Sequence, residues 1–395
     1  MTIHFKYSTV NPKNMKTFWH IARSLLGLVF IFSGFVKGID PMGSAYKLTD
    51  YFQAWHLSGL HVLSLPLGLM LSSLEFLTGI SLLCRVFIRL FSQIALGLMI
   101  FFTTLTLFIA LTNPVTDCGC FGDALKLTNW HTFLKNSILL PLAWFVVRQY
   151  SRIPQQTRGS QKRAVWTGGI AFIVFTGCIY YSYNHLPLID FRPFKTGVNI
   201  SKAMTVPANA PKDIYKNTFI YQNRKTGKEK EFTEANYPWK DSLNWKFVSL
   251  KTKLIQKGAE ASIQNFSIET FSGENISDFF LNDSRLTFML LSPDLADANW
   301  TTIAKIKQLA AYALQHNMNF IGLTASLPKE IVRFKKTQQL SFDFFNTDEI
   351  TLRTMIRSNP GLMVIKSGTI LEKWHYHDIP SPEAISSLQT ENKQK

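Results

Sequence analysis

Charge is spread so unevenly along this chain that a single solvent cannot suit all of it. The first 189 residues hold 15 Lys or Arg and 5 Asp or Glu, whereas the remaining 206 hold 27 and 21. In the charge-poor half, apolar stretches of about 20 residues, the length that crosses a hydrocarbon core as helix, recur five times. They lie near Ile21 to Val36, Leu57 to Cys84, Phe87 to Leu111, His131 to Val147 and Val165 to Tyr183. The first is expected to stay as an anchor, because 34–40 offers no small-x-small cleavage site and further spans follow. The net charge of +16 falls mostly in loops and is not read as a nucleic-acid footprint. Four cysteines in 395 residues exclude a disulfide-stapled scaffold.

Orientation follows from the basic loops, since cytoplasmic loops retain Lys and Arg. Lys6, Lys13, Lys16 and Arg23 precede or enter span one; Arg85 and Arg89 join spans two and three; Arg148, Arg152, Arg158, Lys162 and Arg163 join spans four and five. These groups belong on the cytoplasmic side. Loops 37–56 and 112–130 then lie outside, as does everything after His185. Span four is the short one, uncharged only between Lys135 and Arg148, and needs both ends to snorkel.

The expected organisation is a helical membrane domain over 1–150, a basic loop and fifth span over 151–189, a linker and small β-rich segment over 190–258, an α/β domain over 259–380 and a polar tail over 381–395. Asp190 to Gly197 reads as linker. Hairpin character marks Thr218 to Gln222, Glu231 to Thr233 and Lys246 to Lys253. The α/β domain reads as strand (Phe266 to Phe271), strand (Leu286 to Leu291), helix (Trp300 to His316), strand (Asn319 to Thr324), helix (Pro328 to Lys336) and a hairpin (Leu362 to Lys366, Ile370 to Trp374) about Ser367-Gly368. That order predicts a mixed, mostly parallel sheet.

With Gly273 in its first turn, the strand Phe288 to Leu291 opening a helix, and Asn359-Pro360 before the last hairpin, Ala261 to Tyr376 resembles a thioredoxin-fold domain of the membrane-tethered periplasmic type. The resemblance implies a cis-proline at Pro360. Where that family places Cys-x-x-Cys, this chain reads Leu291-Ser292-Pro293-Asp294. Disulfide exchange needs a thiolate, so Ser292, Pro293 and Pro360 mark a degenerate site whose expected role is partner binding.

The outer loop before span four carries Asp117-Cys118-Gly119-Cys120-Phe121-Gly122-Asp123. It resembles the loop of the MauE branch of DoxX-like membrane proteins, four-helix domains associated with periplasmic disulfide chemistry and respiratory-chain partners. Ser33, Lys37 and Asp40 around span one, Glu75 in span two and Asn136 in span four extend the match over roughly His20 to Arg148. The combined expectation is a membrane all-α bundle with a fifth transmembrane helix, followed by a soluble thioredoxin-like α/β domain, in a bacterial inner membrane with the N-terminus cytoplasmic and the C-terminal domain periplasmic.

Two cysteines separated by one glycine on an oxidising face can close a very small, strained ring, with Gly119 accepting the distortion. Such a pair tends to take electrons from client thiols, and a membrane quinone held by spans one to four is a candidate reoxidant. The alternatives are a static clasp, free thiols or a metal, although Cys-x-Cys lacks the four-ligand spacing of zinc. Glu75 lies mid-span, where a carboxylate must be protonated, paired or facing a cavity; a proton relay, a ligand contact or a helix-helix hydrogen bond all fit. Lys37 and Asp40 are expected to pair locally or snorkel, and Arg23 to anchor at the interface. His56, His61, His131 and His185 fall outside, and His375 and His377 share one strand face at the surface. Cys84 and Cys178 are expected as buried hydrophobes apart from the loop pair.

The function that follows is assistance of periplasmic thiol oxidation through Cys118 and Cys120, with the lipid bilayer and a periplasmic or membrane protein as partners and no nucleic acid. A scaffold subunit of an envelope assembly is the rival, and solute transport through the bundle a third reading that lacks repeats or broken helices.

Overall fold

The computed structural model describes residues 12–150, 157–207, 209–256 and 258–385. Lys6, Arg152 and most of the tail fall outside them. Contacts divide the chain into two compact units, one of which joins the residues through Gly197 to those from Ser267, the other being Val198–Phe266.

In the first unit, α1 (Pro12–Gly38) runs without a break through the first apolar stretch. Asp40 then caps α2 (Pro41–Ala54), its carboxylate accepting from Gly43 N–H while Pro41 starts the helix at a position that needs no N–H. Sequence reading treats 37–56 as a loop, because α2 is too short and too mixed in polarity to resemble a span. A short 3₁₀ turn, Ser58–Leu63, leads into α3 (Ser64–Cys84), followed by α4 (Ile88–Thr112), α5 (Asn129–Gln149) and α6 (Arg158–Asn184).

Among the described residues, four helices are long and apolar enough to cross a membrane: Asn14–Gly38, Ser58–Cys84, Ile88–Thr112 and Arg158–Asn184. The expected span four, now α5, is not among them. Its 21 residues nevertheless extend about 31 Å at 1.5 Å per residue. The helix falls short in composition because it carries Asn129, Thr132 and Asn136, and the bundle buries all three. Asn136 donates to Phe102 O and Thr106 Oγ1, and Asn129 to Asn113 Oδ1 and Val115 O. Polar side chains inside a bundle are expected where helices, not lipid, surround them. Lower down, Leu139, Ala143 and Val146 of α5 join Trp19, Leu26, Phe30, Leu82 and Met99 in the apolar core.

α1 and α3 pack at backbone contact. A Cβ on Gly34 would lie 2.6 Å from Phe76 N and 2.7 Å from Ser72 O, the close approach that small residues permit in membranes. Arg23, expected at the interface, is instead buried, and its guanidinium donates to the carbonyls of Leu82 and Leu83 at the end of α3. It thus satisfies orphan carbonyls at the negative end of that helix.

The α/β domain contains α8 (Ser277–Leu281), β4 (Thr287–Ser292), α9 (Ile303–Gln315), β5 (Asn319–Thr324), α10 (Pro328–Gln338), β6 (Phe344–Asn346), α11 (Glu349–Met355), β7 (Gly361–Lys366) and β8 (Thr369–His375). Its sheet order is β6-β5-β4-β7-β8. β4–β5 and β5–β6 are parallel while β4–β7 and β7–β8 are antiparallel, so the sheet is evenly divided rather than mostly parallel. Phe266 to Phe271 is not a strand: Glu269 forms only isolated bridges to Asn275 and Asn346. The Asn359-Pro360 bond is cis, and Ser367 and Gly368 both take positive φ at the β7–β8 turn, as tight hairpins of this hand require.

The stretch read as linker is tied down. Asp190 pairs with Arg192 at 2.8 Å and with Lys373 of β8 at 2.5 Å. Arg192 also donates to Thr354 O, and Gly197 N–H to Ile370 O. His185, just beyond α6, pairs with Asp378 at 2.8 Å, and His377 contacts Asn184 O at 2.7 Å. His377 lies in a 3₁₀ turn, Tyr376–Asp378, rather than on the strand, and His375 is buried rather than at the surface.

The second unit holds α7 (Ile200–Ala203) and a meander of β1 (Ile214–Asn223), β2 (Glu229–Thr233) and β3 (Trp245–Gln256), antiparallel in the order β2-β1-β3. Tyr221, Phe232, Phe247 and Trp245 meet edge to face on it.

Candidate functional site

The segment between α4 and α5 is shaped by its two glycines, Gly119 at φ +64° and Gly122 at φ +52°, a region other side chains rarely adopt. Asp117 accepts from Gly119 N–H at 2.9 Å and pairs with Lys47 of α2 at 3.3 Å. Tyr51 donates to Cys118 O at 2.9 Å and Ser33 to Cys120 O at 2.7 Å. Two helices, α1 and α2, therefore hold the two cysteine carbonyls and their flanking acid. Phe121 is buried, with Lys135 Nζ 4.1 Å over its ring.

Both cysteines are thiols here, their Sγ atoms 2.6 Å apart. They are not equivalent. Donation from the Cys120 thiol, the Thr132 side chain and the Cys120 backbone N–H outweighs burial and lowers Cys118 to about 6. Cys120 is pushed well above the usual thiol range, first by its hydrogen bond to Cys118 and then by burial. The pair thus has one thiolate and one held proton near neutral pH.

Beneath the loop is a cavity of about 30 Å³ whose polar lining is Ser33, Lys37, Glu75, Cys120, Lys135 and Asn136. Five of these six were picked from sequence as motif positions, on three helices and a loop; the sixth, Lys135, was read only as the limit of span four. Lys37 pairs with Glu75 Oε1 at 2.6 Å, rather than with Asp40. Both are buried, and Glu75 Oε2 has no partner among the described residues. A cavity of this size admits water.

Asp40 and Asp123 serve a different purpose. Arg357, buried and three residues before the cis-proline, reaches Asp40 at 3.0 Å and Asp123 at 2.8 Å. Burial opposes its charge, but the two carboxylates outweigh that and raise it. Arg353 and Arg357 both lie over the Tyr46 ring of α2. The turn before Pro360 thus sits on the same end of the bundle as the cysteine loop. Ser292 donates to Asn359 Oδ1 at 2.7 Å, Asn359 Nδ2 to Asp294 O at 2.9 Å, and Asn299 N–H to Asn359 O. Ser292, Pro293 and Pro360 are gathered as expected, around an Asn359 that sequence reading passed over.

Arg357, Lys135, Thr132 and Tyr51 were also missed. One signal was available for the first: the stretches 37–56 and 112–130 carry Asp40, Asp50, Asp117 and Asp123 against Lys37, Lys47 and Lys126, an acid excess that a basic element answers. Cys84 ends α3 and Cys178 lies in α6. Among the described residues no group of three or more His, Cys, Asp or Glu is placed to hold a metal.

Compared with known proteins, no curated sequence matches the chain. Residues 215–257 match the model for a Domain of unknown function (DUF8463). A solution structure from Bacteroides thetaiotaomicron, assigned as a candidate protein disulfide isomerase, covers 33% of this chain and 85% of its own length, with 15% identity and a TM-score of 0.26. Residues 15–148 match the family model Methylamine utilisation protein MauE. Over those residues the chain is therefore similar to the MauE membrane family, and beyond Ser267 it folds as an α/β domain around a five-stranded mixed sheet.

Proposed function

We propose that this protein is a membrane thiol–disulfide oxidoreductase of the bacterial inner membrane, working on periplasmic clients through Cys118 and Cys120. One observation carries the reading: two thiols in contact, Sγ to Sγ 2.6 Å, in a loop whose cysteine carbonyls are pinned by Tyr51 and Ser33, with Cys118 shifted down and Cys120 up by their mutual hydrogen bond. Exchange needs that division, with one sulfur attacking a client while the other waits to resolve the mixed disulfide. In the oxidising direction a client thiolate attacks Cys118 of the closed pair and Cys120 leaves. The client's second thiol then displaces Cys118, so the client gains a disulfide and the pair becomes a dithiol. The orientation rests on the basic loops, with the cysteine loop and the C-terminal domain outside. The thioredoxin-like domain brings no thiol and serves as a partner-binding or capping module; a membrane quinone is the candidate reoxidant, and the exchange step itself requires none.

The test is exchange by purified full-length protein in detergent against a reduced, disulfide-requiring client. Cys118→Ser and Cys120→Ser are each expected to lower client oxidation by more than about 100-fold, since a hydroxyl does not replace a thiolate. Unchanged client oxidation and an unchanged cell phenotype in the double variant would leave the scaffold reading instead. A carboxyl-terminal periplasmic reporter that is inactive would reverse the orientation.

A further inference from the structure

We propose that Glu75 takes the proton Cys120 must lose when the pair closes, with water in the shared cavity carrying it and Lys37 holding the carboxylate in place; this rests on the exchange reading above. Cys120, not Cys118, lines the cavity, together with Glu75, Lys37 and Lys135. Its 30 Å³ suits one or two waters, given the roughly 10–15 Å³ that one requires. Glu75 is a buried carboxylate with one oxygen fixed by Lys37 at 2.6 Å and the other unpartnered among the described residues. A buried oxygen left without a donor is unfavourable, and a cavity water supplies one. General bases act directly or through a single water.

The step balances as follows. The Cys118 thiolate attacks an acceptor disulfide, forming a mixed disulfide and releasing one acceptor thiolate. The Cys120 S–H bond then breaks, its proton passing through water to Glu75 Oε2. The Cys120 sulfur bonds to Cys118, the bond from Cys118 to the acceptor breaks, and the electron pair leaves on the acceptor sulfur. The pair is reoxidised for the next client, the acceptor disulfide is reduced, and its thiolates take protons from solution. The charged groups facing Cys120 are Lys37 from α1, Lys135 from α5, Glu75 from α3 and Cys118 in the loop, while α4 contributes only Met99 and Phe102 to the lining. With Glu75 neutralised, both lysines favour the sulfur as thiolate.

The experiment uses reduced full-length protein in detergent, with Cys84 and Cys178 replaced by serine, mixed with stoichiometric 4,4′-dithiodipyridine. One thiopyridone is released on forming the mixed disulfide and a second on resolution. Glu75→Gln is expected to keep the first rate and slow the second by at least about tenfold, the scale of lost general-base catalysis, while Glu75→Asp keeps the second within about threefold. A second phase in Glu75→Gln within twofold of the parent overturns the inference and leaves the exchange reading standing. Should Glu75→Gln fail to fold, the parent protein decides: its second phase is expected to slow about two- to threefold in D₂O relative to the first, and equal effects overturn the proposal. Absence of any first phase in the parent overturns both the exchange reading and this inference.

Discussion

At Cys118 the thiolate is favoured by hydrogen bonds more than by the neighbouring Lys135 charge, and that ranking is measurable. A thiol at about 6 is mostly ionised at neutral pH, against an ordinary value of about 8.5. Alkylation of the reduced protein with iodoacetamide, mapped by mass spectrometry, is expected to rise at Cys118 with a midpoint near 6 and to leave Cys120 unlabelled until far higher pH. Cys120→Ala removes the largest of the causes and should move that midpoint up by one unit or more, while Thr132→Val should move it less. A midpoint unmoved by Cys120→Ala would show that the pair is not coupled. Lys37 makes a second residue-scale case. Lys37→Met leaves Glu75 buried without its cation, and breaking a buried pair from one side costs about 3–5 kcal/mol; Lys37→Met with Glu75→Gln should melt at a higher temperature in detergent than Lys37→Met alone. The motif residues were legible in the sequence because membrane burial makes each polar group conspicuous. Their pairing was not, since Lys37 lies three positions from Asp40 but meets Glu75 on another helix.

Elements show where a one-dimensional reading reaches and where it stops. β5, α10 and the β7–β8 hairpin were placed within a residue or two and α9 within three, its first turn being a 3₁₀ turn, because long periodic runs and turn residues mark them. α2, β6 and α11 were not, being short, and β6 is only three residues long. α5 was found by length yet stands apart in composition, because its polar groups turn inward. The α1–α3 seam yields a prediction from backbone geometry. Gly34→Ala puts a Cβ 2.6 Å from Phe76 N, and since backbone cannot yield as a side chain does, the helices must separate at about 1–3 kcal/mol. Gly97, whose Cβ would meet nothing within 4 Å, is the control, and thermal unfolding in detergent should drop for Gly34→Ala alone. The end of β8 responds to pH. Burial first, then His377, holds His375 down to about 4, below its unfolded value near 6.5. The unfolded chain therefore binds the proton first, so the contribution is intact above about 6.5 and declines as pH falls toward 4, by about 2 kcal/mol between pH 7.5 and 5. A melting profile of His375→Gln parallel to the parent over that range would remove this source of acid lability.

For the whole molecule, the consequential contact is Arg357, which joins the thioredoxin-like domain to the bundle through Asp40 at the start of α2 and Asp123 at the end of the cysteine loop. A buried guanidinium and two half-buried acids form a fork that Lys cannot copy. Nothing local in Arg357-Ser-Asn-Pro announced it, because the partners lie more than 200 residues away; only the acid excess outside hinted at a basic answer. If the domain caps the loop through this fork, its removal should loosen both sides without unfolding either. Arg357→Ala in the full-length protein is expected to raise deuterium uptake across residues 41–54 and 117–123 at least about tenfold, equivalent to about 1.4 kcal/mol of lost protection or more, with helical content unchanged. Arg357→Lys should restore only part of it. A double-mutant cycle of Arg357→Ala with Asp123→Asn should give a coupling of at least about 1 kcal/mol, as contacting buried charges do. Uptake in the cysteine loop equal to that of the parent would mean the domain is merely tethered, and partner capture by it would then proceed independently of the thiols below.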